Sequence, residues 1–312
     1  MKINVLITGV AGFVGSNLAD RLLKEKKYRV VGIDNLSYGV KEQIPDGVEF
    51  HKVDIRDKEI YSCFQNVDYV FHFAAKNCIS DCQIDPVETA DINVKGTVNV
   101  FEAAKRVNVK KVIYAESSAM YEGSEILPTP EAEVNPQSFY SVSKFSTMYF
   151  AEAYQRFFNL KSTALRYFCV YGPRQDYRRT IPPLFSAFII KLLKNEQPAI
   201  YGTGEKRRDF IHVDDINDFH IQCMEDDRTT GKVFNLGSSI NYSVNEIYSK
   251  IASILKSDIK PLYKQDLPGE ANANLADISL AKSIGWEPKI DLHTGLKTSI
   301  DFIKNEMNKG KI

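Results

Sequence analysis

The feature that most constrains this chain is a trio of glycines set between an apolar run and an amphipathic one, Val5-Leu-Ile-Thr-Gly9-Val-Ala-Gly12-Phe-Val-Gly15-Ser-Asn-Leu. A strand that ends there must turn at once into a helix. Gly9 permits the tight turn, Gly12 lets the main chain approach a pyrophosphate, and Gly15 lets helix and strand pack closely. An anion would then meet the N–H groups and positive dipole at the helix N-terminus. Glycines alone would also suit a turn that packs and binds nothing. Asp34 argues for a ligand, because it closes the next apolar run, Val30-Val-Gly-Ile-Asp34, nineteen residues beyond Gly15. A carboxylate at about that spacing accepts hydrogen bonds from the ribose of a dinucleotide. It would repel the 2′-phosphate of NADP, so NAD is the expected cofactor.

The rest of the first half keeps the alternation that this reading needs. Val5–Ile7, Val30–Ile33, Val67–Phe73, Val112–Ala115 and Ser162–Tyr167 read as strands buried on both faces, and Phe13–Glu25, Val87–Val107 and Ser141–Phe158 as helices. That order predicts an α/β fold, a Rossmann doubly wound parallel sheet with ligands beyond the carboxyl ends of its strands. Asp54-Ile55 is expected to end the third strand near an adenine. Phe73-Ala74-Ala75 ends the fourth, with small side chains that leave room, and His72 beside them reads as structural. Beyond Gly172, prolines at 173, 182, 183, 198, 261, 268 and 288 break the pattern. A smaller C-terminal mixed α/β lobe for substrate is expected over 172–312. The NAD-binding domain then covers 1–171, with returns to its sheet near 210–225 and 233–254.

Forty Lys and Arg balance forty Asp and Glu, which argues against a nucleic-acid partner. Apolar runs such as Ile189–Ile190 are too short for a bilayer, and the first residues read as a buried strand rather than a signal peptide. The five cysteines are odd in number and scattered, as reduced thiols are, and Cys78-x3-Cys82 lacks the partners of a metal site. A cytoplasmic location and no metal are expected.

Tyr140-Ser-Val-Ser-Lys144 sets a phenol and an ammonium four residues apart, on one face of a helix. A free phenol, with a pKa near ~10, is a poor base at neutral pH. A neighbouring cation and a positive nicotinamide ring lower it, and the phenolate can then take a hydroxyl proton as hydride leaves the same carbon. Ser117-Ser118 follows Val112-Ile-Tyr-Ala-Glu116, where a strand-end hydroxyl either bonds the reacting oxygen or caps a turn.

Taken together, T-G-V-A-G-F-V-G-S at 8–16, D-N-L-S-Y-G at 34–39, H-F-A-A at 72–75, N-V-K-G-T at 93–97, S-S-A-M-Y at 117–121, Y-S-V-S-K at 140–144, L-R-Y-F-C-V-Y-G-P-R-Q at 165–175 and R-D-F-I-H-V-D-D at 208–215 resemble the extended short-chain dehydrogenase/reductase family, in its nucleotide-sugar epimerase/dehydratase branch. The resemblance implies Tyr140 as catalytic base and acid, Lys144 on the nicotinamide ribose, and Ser117 on the sugar hydroxyl. It implies a cofactor site of Gly9, Gly12, Phe13, Val14, Gly15, Asp34, Asn35, Ser37, Gly39, Asp54, Ile55, Phe73, Ala74, Ala75, Lys76, Asn93, Tyr140, Lys144 and Tyr167. Ser118, Cys169, Arg174 and Arg208 would meet a nucleotide-diphosphate sugar, Arg208 at its diphosphate. A homodimer is implied too, with Val94, Val98 and Phe101 in a shared helix bundle unless these residues cover the sheet.

Dehydratases of the branch carry Thr-Asp-Glu where this chain has Ser117-Ser118-Ala119, and strand alternation turns Glu116 away from Ser117. The expected activity is therefore NAD-dependent C4 epimerisation through a 4-keto sugar. A nucleotide-sugar 4-dehydrogenase or reductase is the alternative, followed by a dehydratase and a non-enzymatic NAD-binding scaffold. Cys169 replaces the branch's usual Asn, and Leu267 and Asn272 replace arginines expected on the diphosphate; Lys264, Arg174, Arg178 or Arg179 are candidates to compensate.

Overall fold

The computed structural model describes residues 2–179, 182–266 and 271–312, so the replacement at Leu267 lies outside the described residues. Six strands run through the first half: β1 (Ile3–Thr8), β2 (Tyr28–Asp34), β3 (Glu49–Lys52), β4 (Tyr69–His72), β5 (Lys111–Ser117) and β6 (Ser162–Tyr167). After them come β7 (Cys169–Tyr171), β8 (Ala199–Tyr201), β9 (Arg207–His212), β10 (Val233–Leu236), β11 (Asn241–Ser243) and β12 (Leu262–Lys264). The helices are α1 (Phe13–Lys24), α2 (Ile60–Cys63), α3 (Ile79–Ile84), α4 (Pro86–Ala90), α5 (Thr97–Arg106), α6 (Phe139–Phe158), α7 (Leu184–Leu193), α8 (Val213–Glu225), α9 (Val244–Leu255), α10 (Ser279–Ser283) and α11 (Leu292–Asn308).

Two compact units result. The first comprises Met1–Ile126, Glu131–Tyr167 and Asn217–Asn235. It is built on a parallel sheet in the order β10-β6-β5-β4-β1-β2-β3. β1 pairs with β2 on one side and β4 on the other, so the connections reverse direction at β1 and open a crevice beyond its carboxyl end. Leu6, Val31, Phe64, Val70, Phe101 and Val112 share its core, each such side chain contributing roughly 1.5–3 kcal/mol when fully buried.

Three details differ from the sequence reading. The third strand, Glu49-Phe-His-Lys52, is a mostly polar edge strand and ends before Asp54 rather than at Asp54-Ile55. The stretch read as one helix over Val87–Val107 is α4, then a wider π turn over Asp91–Gly96, then α5. Phe101 is fully buried in the sheet's core and so takes no part in an outward-facing bundle.

The second unit comprises Leu127–Pro130, Phe168–Ile216 and Leu236–Ile312. Its sheets are small and mixed: β9 pairs antiparallel with β11 and parallel with β7, while β12 pairs parallel with β8. Tyr171, Phe185, Phe188, Phe210, Ile247 and Leu296 form its core, with Tyr171 and Phe185 stacked at 4.6 Å. Among the described residues no helix is long and apolar enough to cross a membrane.

Candidate active site

The glycine loop is shaped by contacts that leave no room for side chains. Gly9 has φ +73°, and a Cβ on it would lie 2.8 Å from the Ala74 main-chain nitrogen; one on Gly15 would lie 2.3 Å from the Gly9 oxygen. Gly12 is the N-cap of α1, which has no side-chain cap and no acidic residue in its first turn. Its opening N–H groups, with Phe13 and Val14 half-buried beside them, therefore face no competing carboxylate of their own.

Asp34, at the end of β2, is buried. Its oxygens accept the Ala11 N–H at 3.0 Å and the Leu36 N–H at 2.8 Å. Burial raises its pKa, against those two hydrogen bonds. Each oxygen keeps a lone pair for a ribose hydroxyl. Gly39 passes over the carboxylate, where a Cβ would come within 3.0 Å of both oxygens. Asn35 accepts from the Ser37 hydroxyl and donates to Asp54 at 2.8 Å. Asp54 is clasped by Arg56, which holds its carboxyl down at about 2. Ile55 is buried and packs on Gly96 of the π turn. The loop, the carboxylate and the open helix end fit a dinucleotide.

The next strand ends are tied together by buried polar groups. His72 bridges Thr8 Oγ1 at 2.7 Å and Thr97 Oγ1 at 2.8 Å, and burial lowers its pKa to about 3, so it is a neutral structural ring. Phe73, Ala74 and Ala75 follow, half-buried, with the Ala74 N–H on Thr8 Oγ1. Lys76 donates its main-chain N–H to Asn93 Oδ1 and its Nζ to Glu88 at 2.6 Å. Asn93, in the π turn, donates back to the Lys76 carbonyl and to Ser143 Oγ at 2.9 Å, and Ser143 donates to the Tyr140 carbonyl. One asparagine thus connects the loop after β4 to the early turns of α6. Cys78 lies beside Ser80 at 3.0 Å, and Cys82 is buried.

α6 starts where it does because Ser138 caps it, with Ser138 and Ser141 bonding each other's main chain. Glu122 accepts from both hydroxyls. The helix therefore begins at Phe139, and Tyr140 and Lys144 are both buried on its early turns. Lys144 Nζ donates to the Ala115 carbonyl at 2.8 Å, two residues before Ser117. Burial lowers its pKa to about 8, against the attraction of Glu116. Ser117 Oγ accepts the Ala119 N–H at 3.1 Å and keeps its own proton to donate. Ser118 opens the short helical turn that follows. Glu116, which precedes Ser117, lies in a buried ion pair with Arg166 at 2.7 Å.

Tyr167, ending β6, donates to or accepts from His220 Nε2 at 2.6 Å, and the His220 ring packs 5.0 Å from Phe73. Sequence reasoning missed His220, since a lone histidine in a helix carries no local signal. Thr8, Thr97 and Ser143 escaped for the same reason: their roles are contacts made across the fold.

In the second unit, Arg208 lies on β9 and donates to the Arg207 carbonyl at 3.0 Å, while Arg174 has φ +67°. Buried Asp209 beside it gathers the Ser238, Ser239 and Ala276 N–H groups. Cys169, on β7, receives the Asn274 side-chain N–H at 3.9 Å. The Asn272 carbonyl accepts the Arg207 N–H at 2.8 Å, so the segment lacking the expected arginine runs beside two others, Arg207 and Arg208. Arg178 and Arg179 both pair with Asp176.

The model of the NAD dependent epimerase/dehydratase family matches residues 5–237. The UDP-glucose 4-epimerase of Mycolicibacterium smegmatis is 31% identical over 311 residues, covering 96% of this chain and 98% of that one. The solved UDP-glucose 4-epimerase of Thermotoga maritima, with UDP-glucose, superposes with a TM-score of 0.94 at 33% identity, over 98% of this chain and 100% of that chain. A UDP-N-acetylglucosamine 4-epimerase of Methanobrevibacter ruminantium, solved with UDP-N-acetylmuramic acid, gives the same TM-score of 0.94 and the same 33% identity over 98% of this chain.

Proposed function

We propose that this chain, which belongs to the NAD dependent epimerase/dehydratase family, is a nucleotide-sugar C4 epimerase acting through a transient 4-keto sugar. The carrying observation is the end of β5. Lys144 is hooked to Ala115, Ser117 stands two residues on with its proton available, and the positions where a dehydratase needs an acid and a base are Ser118 and Ala119. The carboxylate next to Ser117 in sequence, Glu116, is buried in an ion pair with Arg166. Water loss then has no acid–base pair to drive it, whereas epimerisation needs none beyond a phenol, an ammonium and a hydroxyl.

In this reading the Tyr140 phenolate takes the proton of the C4 hydroxyl, and Ser117 donates to the same oxygen. Lys144 lowers the phenol's pKa and holds the nicotinamide ribose. Bound NAD supplies the hydride acceptor and donor at that carbon. The glycine loop from Gly9 to Gly15, with Phe13 and Val14, would hold its pyrophosphate, and Asp34, Asn35, Ser37 and Gly39 the adenosine ribose. Asp54 and Ile55 would border the adenine, and Phe73 to Lys76, Asn93 and Tyr167 would line the remaining path. Arg208 and Arg174 would take the substrate diphosphate, with Ser118 and Cys169 near the sugar. Return of the hydride to the other face requires the keto sugar to turn within the site.

We also propose a homodimer. Exposed Val142, Tyr149, Phe150 and Phe157 on α6, with Ile84 and Val87 before it, leave an apolar face on the first unit that a second copy would cover.

The test is to release and identify the cofactor by mass spectrometry, then to incubate native protein with UDP-, GDP- and CDP-hexoses. Stoichiometric NAD and one sugar converted to its C4 isomer without net NADH supports the reading. Accumulating NADH with a 4-keto product would replace it with a dehydrogenase, and NAD without turnover of any sugar would replace it with a scaffold.

A further inference from the structure

Glu116 is a costly choice at its position. It is fully buried, and a buried ion pair seldom stabilises a fold more than apolar side chains of the same volume. β5 and β6 are in register with Glu116 opposite Arg166, and Glu116 Oε2 accepts from Arg166 Nε at 2.7 Å. The remaining donors of Arg166 turn elsewhere: Nη1 to the Tyr121 hydroxyl at 3.0 Å and the Glu131 carbonyl at 2.5 Å, and Nη2 to Met148 Sδ at 3.6 Å. Glu116 Oε1 is buried beside the Tyr114 phenol, which also favours the ionised carboxylate. The guanidinium therefore contacts one of the two carboxylate oxygens.

What lies over it is α6. Met148, which touches Arg166, is one helical turn from Lys144, so the face of α6 that carries Lys144 covers the ion pair. Lys144 Nζ is bonded to the carbonyl of Ala115, the residue that precedes Glu116. The groups that face Lys144 are Glu116 from β5, His72 from β4 and Cys82 from α3, with Tyr140 on its own helix. His72 is neutral, and burial raises the Cys82 thiol's pKa, so that thiol is uncharged at neutral pH as well. Glu116 itself is faced by Arg166, Lys144, Tyr114 and Tyr121; burial raises its pKa, against the contact and charge of Arg166 and the charge of Lys144, which favour its ionised form. Of the groups around Lys144, Glu116 thus brings the negative charge, through an interior where charges act more strongly than in water.

We propose that Glu116 is a positioning residue for Lys144: its buried carboxylate, fixed by Arg166 and covered by α6, keeps the lysine ammonium charged at the end of β5. The inference rests on the epimerase reading for its catalytic meaning, since there the ammonium must stay charged to lower the Tyr140 pKa. It also accounts for a carboxylate one step from the reacting serine that performs no acid–base chemistry of its own.

The experiment is a carbon-13 NMR titration of the NAD-bound protein labelled at lysine Cε, with Lys144 assigned by its loss in Lys144→Met. Assignment matters because burial also lowers the pKa of Lys111. In Glu116→Gln the Lys144 titration should fall by about one pH unit or more, as removal of a neighbouring opposite charge does. Glu116→Asp should bring it back, and the alkaline limb of kcat/KM should move in parallel. Because Glu116→Gln leaves Arg166 buried and unpaired, Glu116→Gln/Arg166→Met is the second variant, and its Lys144 titration should stay low. A folded variant of either kind whose Lys144 titrates as in the parent overturns the proposal. The lysine signal needs no sugar turnover: a lowered titration in a protein that converts no nucleotide sugar would sink the epimerase reading and leave the positioning role standing.

Discussion

The Asp34 carboxylate accepts the main-chain N–H of Ala11 at 3.0 Å, which ties the end of β2 to the middle of the glycine loop. The same group that would read the ribose therefore also shapes the turn that would hold the pyrophosphate. Asp34→Ala strands the Ala11 and Leu36 N–H groups, at about 1–3 kcal/mol each where water cannot replace the carboxylate. The variant should purify with little NAD and melt several degrees lower. Stoichiometric NAD in Asp34→Ala, measured by mass spectrometry after denaturation, would show that Asp34 holds no cofactor.

Gly15→Ala should be more damaging than Gly12→Ala. The first places a Cβ 2.3 Å from the Gly9 oxygen and 2.9 Å from its carbonyl carbon, both main chain, so α1 itself must move; the second meets only the Gly9 oxygen, at 3.2 Å. Cofactor content and thermal midpoint should fall in that order. Equal behaviour of the two variants would contradict the close packing of α1 on the loop.

Tyr140→Phe removes the proton acceptor and leaves the ring. Under the proposed chemistry kcat falls by roughly 10²–10⁴-fold, while NAD content and melting temperature hold. Ser117→Ala, losing one hydrogen bond to the reacting oxygen, should cost less. A Tyr140→Phe protein with parental kcat on the converted sugar would remove the phenol from the mechanism.

His220 is buried against Phe71, Phe73 and Tyr167, and its pKa is lowered to about 3 by that burial. Unfolded, a histidine titrates near ~6.5. The folded state therefore binds fewer protons between these values, so this contribution is whole above about pH 6.5 and is lost as pH falls toward 3. His72 acts in the same direction. His220→Gln should be less stable at pH 7, yet its melting temperature should decline less steeply from pH 6.5 to 4. Parallel slopes for parent and variant would mean that the native ring takes up its proton over the same pH range as the unfolded one.

The dimer is checked by sedimentation equilibrium. The parent should have the mass of two chains, and Val87→Glu/Phe150→Glu, which charges the exposed apolar face, the mass of one. A parent of single-chain mass ends the proposal.

Much of the first unit was legible because its signals are local. Glycine spacing, the carboxylate at a strand end, unbroken apolar strands and a Tyr and Lys four residues apart each act within a few turns of chain. The polar edge strand Glu49–Lys52 was not, because half its side chains face water and its hydrogen bonds come from β2. Nor was the π turn, which places Asn93 to reach both the Lys76 loop and Ser143. Phe101 was ambiguous for a related reason: an apolar residue on a helix says that something covers it, and packing decides what.

By itself the sequence determined a glycine loop on a parallel sheet and the preference for NAD, and it singled out Ser117, Tyr140 and Lys144 as the proposed reacting groups, because glycine geometry, strand burial and helical spacing depend on neighbours along the chain. Only the tertiary structure decided what surrounds those groups. Glu116 meets Arg166 because β5 and β6 align in one register, and Lys144 lies over them because Ser138 starts α6 where it does. His220 reaches Tyr167 and Phe73 from fifty or more residues away. Such contacts set burial, and burial sets the charge a side chain can carry, so the electrostatics of the site belong to the fold.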